Sequence, residues 1–280
     1  MRISITGING FVGTALKSLL VNYPQIELVH QPAFKDSLDD ITKLLQATDD
    51  CDVIVHLAAK TFVPDSFTNP YFCYRNNINS TLAIAELCRI KKVKMLFLSS
   101  YVYGQPQYFP IDEKHPVSDF NPYAHSKIIG EQLCERYAKY FDLKYTILRP
   151  FNIYGKNQPD HFLTAKILKM SKTGTIQLED SRPKRDYVNV TDVAEGIIKV
   201  ILNDEFNGEV INICSGKSLS IQEIVDAAAS LRSGNVEVKY SDIQRPHEVL
   251  DIIGDNAKAS EKLNWEPRHN LIDDIKNQEI

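Results

Sequence analysis

Tyr123 and Lys127 stand four residues apart in a stretch, 122–140, whose periodicity and opening proline predict a helix. Residues at that spacing share a helix face. A tyrosine titrates at about pH 10 and is a weak acid–base group at neutral pH. An ammonium one turn away favours the phenolate and lowers that pKa. The lysine also suits a cofactor ribose. Ser99 ends a predicted strand over 94–99. Parallel sheets bind ligands at the C-terminal edges of their strands, so its hydroxyl is placed to steady a substrate oxygen beside Tyr123. Taken alone, the same spacing describes an exposed aromatic and a lysine on a solvated helix. His125 falls between them on another face and is read as non-catalytic.

The start of the chain gives the pair a cofactor to work with. Thr6-Gly7-Ile8-Asn9-Gly10-Phe11-Val12-Gly13 joins a predicted strand over 3–6 to a helix over 11–20. The first glycine allows a sharp turn, the second lets backbone approach a pyrophosphate, and the third lets helix pack closely on strand. Free N–H groups at the helix start then hold phosphate. The expectation is a dinucleotide, bound by Gly7, Asn9, Gly10, Phe11, Val12 and Gly13; an ordinary tight turn is the alternative. An acid at the tip of the second strand would favour NAD, but that strand, over 26–29, runs into His30-Gln31. His30 approaches the ribose or a 2′-phosphate, or faces water. Asp36 reaches the adenine side or is a plain surface acid. NAD and NADP both stay open.

The elements around these residues alternate. Strands over 53–57 and 144–148 and helices over 37–47 (capped by Ser37) and 79–89 complete a run of βαβ units up to Pro150. The fold class expected is α/β: a Rossmann-type doubly wound parallel sheet with a small C-terminal α/β substrate-binding lobe. Residues 1–150 are the expected NAD(P)-binding domain and 151–280 mainly the substrate lobe. That second part carries helices over 162–169, 192–202, 221–231 and 256–263, and strands over 175–178, 210–213 and 236–240. Segments near 186–215 are expected to return to the first domain.

Composition narrows the class from outside. A net charge of −4 with only short basic spots argues against a nucleic-acid surface. No apolar run approaches membrane-spanning length, and no signal-peptide core follows Met1, so a cytoplasmic protein is expected. The five cysteines show no CxxC spacing; Cys51, Cys88 and Cys214 sit in apolar patterns that suit buried free thiols. The seven histidines form no HxH or HExxH, so no metal is expected.

Several further segments, in order, carry a resemblance. They are His56-Leu57-Ala58-Ala59, Ser99-Ser100-Tyr101-Val102-Tyr103-Gly104, Tyr123-x-x-x-Lys127, Arg149-Pro150-Phe151-Asn152-x-Tyr154-Gly155, Arg185-Asp186-Tyr187-Val188, Asn212-Ile213-Cys214-Ser215-Gly216 and Arg245-Pro246. With the glycine turn, the chain resembles the extended short-chain dehydrogenase/reductase family, in its nucleotide-sugar epimerase/dehydratase/4-ketoreductase branch. The resemblance implies Tyr123 as acid/base, Lys127 as its ribose-binding partner and Ser99 as the catalytic hydroxyl. It implies Leu57, Ala58, Ala59 and Pro150 at the cofactor. Ser66, Ser99, Ser100, Asn152, Arg185 and Arg245 are implied at the substrate, the arginines on its diphosphate. A planar guanidinium suits phosphate oxygens, though surface ion pairs would use the same residues. Asn76 matches an asparagine that begins the helix after the Ala58-Ala59 loop. The helices over 79–89 and 122–140 resemble those of a homodimer interface.

One departure matters. The branch's 4,6-dehydratases carry an Asp-Glu pair where this chain has Ser100 and Tyr101, which cannot do that acid–base work. Together with the short chain, this favours a reductase of a 4-keto-6-deoxy nucleotide sugar. The alternative is an NAD-dependent 4-epimerase using the same Ser/Tyr/Lys set. A dinucleotide-binding regulator without activity and a reductase of a non-nucleotide substrate are the remaining readings.

Overall fold

Ile3 and Ile5 are buried on one side of the first strand, and the same period of two divides the strands at 53–56, 94–98 and 145–150 between two cores. A computed structural model of the chain describes residues 1–29, 41–48, 50–241 and 249–280. In chain order its elements are β1 (Arg2–Thr6), α1 (Phe11–Leu20), β2 (Glu27–Leu28), α2 (Ile41–Ala47), β3 (Val53–His56), α3 (Val63–Thr68), α4 (Pro70–Lys91), β4 (Lys94–Leu98), α5 (Pro122–Phe141), β5 (Tyr145–Pro150), β6 (Asn152–Tyr154), α6 (Leu163–Thr173), β7 (Thr175–Leu178), β8 (Lys184–Asn189), α7 (Val190–Asn203), β9 (Glu209–Ile213), β10 (Ser218–Ser220), α8 (Ile221–Ser230), β11 (Glu237–Tyr240), α9 (Ala257–Leu263) and α10 (Leu271–Lys276).

Six strands form one parallel sheet in the order β2-β1-β3-β4-β5-β9. On one face Val53, Val55, Leu96, Leu98, Leu148 and Ile211 pack on α1 and α7, with Trp265 closing the layer. On the other, Ile54, Met95, Phe97, Tyr145 and Ile147 pack on α2, α4 and α5. The sheet therefore has helices on both faces, as a doubly wound fold requires. The chain returns to it after leaving: β9 pairs with β5, and α7 contributes Val193, Ile197 and Ile201 to the core shared with α1. Outside the main sheet, β10-β8-β6 and β11-β7 are small sheets that pack with α6, α8 and α10 around Ile167, Ile176, Ile224 and Leu271.

Two differences from expectation bear on the site. The helix expected over 79–89 begins nine residues earlier, at Pro70, and a short helix, α3, precedes it. Over 70–78 its buried residues are Cys73 and the polar Asn77, so the apolar period that marks a helix is weak there. Asn76 consequently lies inside α4 rather than beginning a helix, its amide donating to the Phe72 carbonyl. His30, Asp36, Arg245 and the expected cap Ser37 lie outside the described residues.

Candidate active site

The strand order reverses between β1 and β3: β2 extends the sheet on one side of this pair, β4 on the other. Such a switch point opens a crevice at the C-terminal strand ends. Here that crevice is a cavity of about 1290 Å³. Gly7, Gly10, Phe11, Val12 and Gly13 form one wall and Leu57, Ala58 and Ala59 the next. Ser99, Ser100, Tyr123, Lys127 and Pro150 follow, then Asn152 and Arg185 from the strands beyond the sheet. Asn9 is exposed and is not part of the wall. Ser66 also lies off it; its hydroxyl is buried in α3, donating to the Val63 carbonyl.

The glycine turn has the geometry a phosphate cradle needs. Gly7 has φ +73°, a left-handed conformation that β-carbons disfavour, and an added Cβ there would lie 2.8 Å from the Ala58 nitrogen. At Gly13 an added Cβ would lie 2.4 Å from the Gly7 carbonyl oxygen, so only glycine lets α1 sit this close to β1. No side chain caps the N-terminus of α1, and Phe11, Val12 and Gly13 of its first turn line the cavity. An uncapped helix start opening into a cavity fits a pyrophosphate.

The opposite wall carries the polar groups. Ser99 is buried, and its hydroxyl has no hydrogen-bond partner among the described residues, an arrangement that leaves it available to a ligand. Asn121 caps α5 by accepting from the Ala124 N–H, which fixes the first turn that carries Tyr123. Lys127 is buried; its ammonium donates to the Leu98 carbonyl at 2.7 Å and lies 4.6 Å from the Phe97 ring centre. Burial pulls its pKa down to about 8. For Tyr123 the outcome departs from what the Tyr–Lys spacing predicts. Burial pushes the phenol up to about 12, opposed by a hydrogen bond from Ser100, and Lys127 is not among the groups that shift it. Desolvation of the phenol outweighs the Ser100 hydrogen bond, because burial penalises the charged phenolate.

Beyond these, Asn152 donates to the Asp186 carbonyl, and Arg185 lines the cavity while donating to the carbonyls of Lys184 and Val249. Tyr101 turns away from the cavity: its hydroxyl donates to the Gly104 carbonyl and its ring packs against Tyr103 and Phe151. The cavity also includes an aromatic group that the motifs do not signal, His161 between Phe62 and Phe162, with ring centres 4.4 and 4.5 Å apart. Its members come from two separate loops without characteristic spacing. All five cysteines are buried free thiols. Among the described residues no helix is long and apolar enough to cross a membrane.

A doubly wound parallel sheet with a glycine cradle at its switch point and a Ser/Tyr/Lys wall facing it defines a Rossmann-type dinucleotide-binding class. The chain belongs to the NAD dependent epimerase/dehydratase family, whose model matches residues 3–214. It is 32% identical to a putative UDP-glucose 4-epimerase of Methanocaldococcus jannaschii, over 98% of this chain and 96% of that one. It is 28% identical to the GDP-6-deoxy-D-mannose reductase of Pseudomonas aeruginosa, over 95% of this chain and 92% of the relative. The structure of RMD from Pseudomonas aeruginosa complexed with NADPH superposes with a TM-score of 0.90 at 27% identity, covering 98% of this chain and 96% of that one. Chain length does not separate the two activities, since this chain spans nearly all of both relatives.

Proposed function

We propose that the chain is an NAD(P)H-dependent reductase of the C4 keto group of a nucleotide-activated 6-deoxy sugar. One observation carries the reading: two hydroxyl groups, those of Ser99 and Tyr123, line the same cavity. Ser99 has an unpartnered hydroxyl, and burial keeps the Tyr123 phenol protonated well past neutral pH. A carbonyl oxygen needs two such donors, whereas a substrate hydroxyl needs a base first. The turning away of Tyr101 supports the same reading, because it leaves no side chain at that position to run a dehydration. A GDP-6-deoxy-sugar reductase among the relatives is consistent with it.

In this reading residues 1–150 bind the cofactor through Gly7, Gly10, the first turn of α1, Leu57, Ala58, Ala59 and Pro150. The part after 150 binds most of the substrate. The chemistry supplied by bound NAD(P)H is hydride donation to a carbonyl carbon. Ser99 donates a hydrogen bond to the carbonyl oxygen, and Tyr123 delivers its phenolic proton there. Lys127 leaves the Leu98 carbonyl for a ribose hydroxyl. Arg185 holds a diphosphate oxygen, and Asn152 and Ser100 border the sugar. A cytoplasmic homodimer built on α4 and α5 belongs to the same reading; exposed Tyr71 and Leu82 on one helix and Tyr140 and Phe141 on the other supply apolar surface.

The test is to supply NADH and NADPH with a panel of GDP-, UDP- and dTDP-4-keto-6-deoxy sugars and follow absorbance at the reduced-nicotinamide band. Stoichiometric consumption of external cofactor supports the reductase. Tightly held NAD with interconversion of 4-epimers and no net consumption would overturn it in favour of a 4-epimerase, like the putative UDP-glucose 4-epimerase of Methanocaldococcus jannaschii.

A further inference from the structure

The buried polar side chains behind the cavity form one connected network. Asn77 of α4 holds the loop after β3: its Oδ1 accepts the Lys60 N–H at 2.8 Å, and its Nδ2 donates to the Lys60 carbonyl at 3.1 Å. The same Nδ2 donates to Ser126 Oγ at 2.9 Å, and Ser126 Oγ donates to the Tyr123 carbonyl at 2.7 Å. Both side chains are buried, and neither lines the cavity. The network continues under the glycine turn. Thr81 Oγ1 donates to the Asn77 carbonyl at 2.7 Å, so its oxygen is left to accept from His56 Nε2 at 3.1 Å. Nδ1 of His56 then accepts from Thr6 Oγ1 at 2.8 Å, and Thr6 Oγ1 accepts the Ala58 N–H at 3.2 Å. Every donor therefore has a single consistent direction, with His56 neutral and carrying its proton on Nε2. Burial, which lowers the His56 pKa to about 3, agrees with the neutral ring.

We propose that Asn77 and Ser126 are positioning residues that lock the cofactor-side loop at Ala58–Lys60 in register with the backbone of Tyr123. The physical reason is that hydride and proton arrive at one carbonyl from opposite walls: β3 and its loop set one wall, and α5 sets the other. Displacement of about 1 Å between such groups costs on the order of a hundredfold in rate, and Ser126 is the direct side-chain tie between Asn77 and the Tyr123 backbone. The proposal rests on the reductase reading for its kinetic consequence only.

The test uses Ser126→Ala, a small change that leaves the helix intact, and Ser126→Thr, which keeps the hydroxyl. Hydrogen–deuterium exchange on substrate-free protein reads the coupling without any turnover. In Ser126→Ala, exchange should accelerate in both the 57–61 and 121–128 segments while β1 is unchanged, and Ser126→Thr should restore wild-type exchange. Acceleration in only one segment, or in neither, overturns the proposal. Where wild-type protein consumes cofactor, Ser126→Ala should lower kcat roughly tenfold with NAD(P)H affinity and KM within about threefold. A kcat within twofold of wild type, or a loss that Ser126→Thr fails to rescue, also overturns it. An inactive wild type would instead sink the reductase reading and leave the exchange result to decide the coupling. If Ser126→Thr proves overpacked by its melting curve, Asn77→Asp serves as a second loss variant: Asp retains the acceptor for Lys60 N–H but lacks the donor to both Ser126 and the Lys60 carbonyl, and it should accelerate exchange in both segments, whereas unchanged exchange overturns the proposal.

Discussion

The Lys127 ammonium donates to the Leu98 carbonyl at 2.7 Å, one residue before Ser99. The bond ties the second turn of α5 to the end of β4, so the elements carrying Tyr123 and Ser99 are joined behind the cavity wall. It also means that a charge sits in a largely desolvated place, over the Phe97 ring, with its pKa drawn down to about 8.

A stability signature follows from that depression. In the unfolded chain a lysine titrates at about 10.4, so between about pH 8 and that value the unfolded state binds more protons than the folded one. Stability contributed by this group therefore rises with pH across the window and is flat below it. Lys127→Met should lack the rise. Denaturant midpoints of the two proteins, measured from pH 7 to 10 without ligand, should shift relative to one another, wild type gaining on the variant as pH climbs through 8. Parallel profiles would refute the depressed lysine.

Tyr123→Phe removes the proton donor while leaving the ring in its place. Loss of a general acid typically costs 10²–10⁴-fold in rate. Turnover with the accepted keto sugar should fall by that order, and fluorescence titration with NADPH or NADH should give an affinity close to wild type. Unchanged turnover would remove Tyr123 from the chemical step.

Much of this arrangement is written locally in the chain, and the missing parts are those that depend on distant residues. The Gly7 turn is legible because a left-handed residue and two close approaches constrain a short contiguous segment. The six-strand sheet is legible because Ile3, Val53, Met95 and Ile147 sit in compact apolar runs of strand length. The first turns of α4 are not, because Asn77 occupies its buried face there and is held by groups from other elements, Lys60 and Ser126. For the same reason Asn76 and Asn77 cannot be told apart without knowing which meets the loop. The Tyr123–Lys127 spacing places both residues on the cavity but not the balance of forces on the phenol. That balance is set by burial and by the hydrogen bond from Ser100, neither of which is a property of the helix.

Gly10 and Gly13 separate cofactor contact from packing. A methyl group at Gly13 would meet the Gly7 oxygen at 2.4 Å and the Ile8 backbone at 2.6 Å, and backbone cannot swing aside as a side chain can. Overpacking of this kind costs about 1–3 kcal/mol or more, so Gly13→Ala should lower the melting temperature by several degrees. At Gly10, which lines the cavity, the nearest atom is the Gly7 oxygen at 3.1 Å. Gly10→Ala should lose less stability than Gly13→Ala, since its contact is milder, and lose at least tenfold in NAD(P)H affinity. Calorimetry and fluorescence titration on the two variants read the contrast; equal loss of affinity with equal stability would contradict it.

Asp186 is the buried joint of the substrate side. Its carboxylate accepts from the Ser215 N–H and hydroxyl, both at 2.7 Å, from the Gly216 N–H at 2.9 Å and from the Gly254 N–H at 3.1 Å. One side chain thus ties the loop after β9 and the segment at Gly254 to β8, beside Arg185. Asp186→Asn would turn an amide N–H₂ toward at least one of these donors, and a buried group left without its partner costs about 1–3 kcal/mol. The variant should unfold at lower denaturant than wild type by that amount. Because Asp186 does not line the cavity, kcat should change little, while KM for the nucleotide sugar should rise as Arg185 loses its fixed place. A fall in kcat at unchanged KM would show instead that Asp186 acts on the reacting atoms.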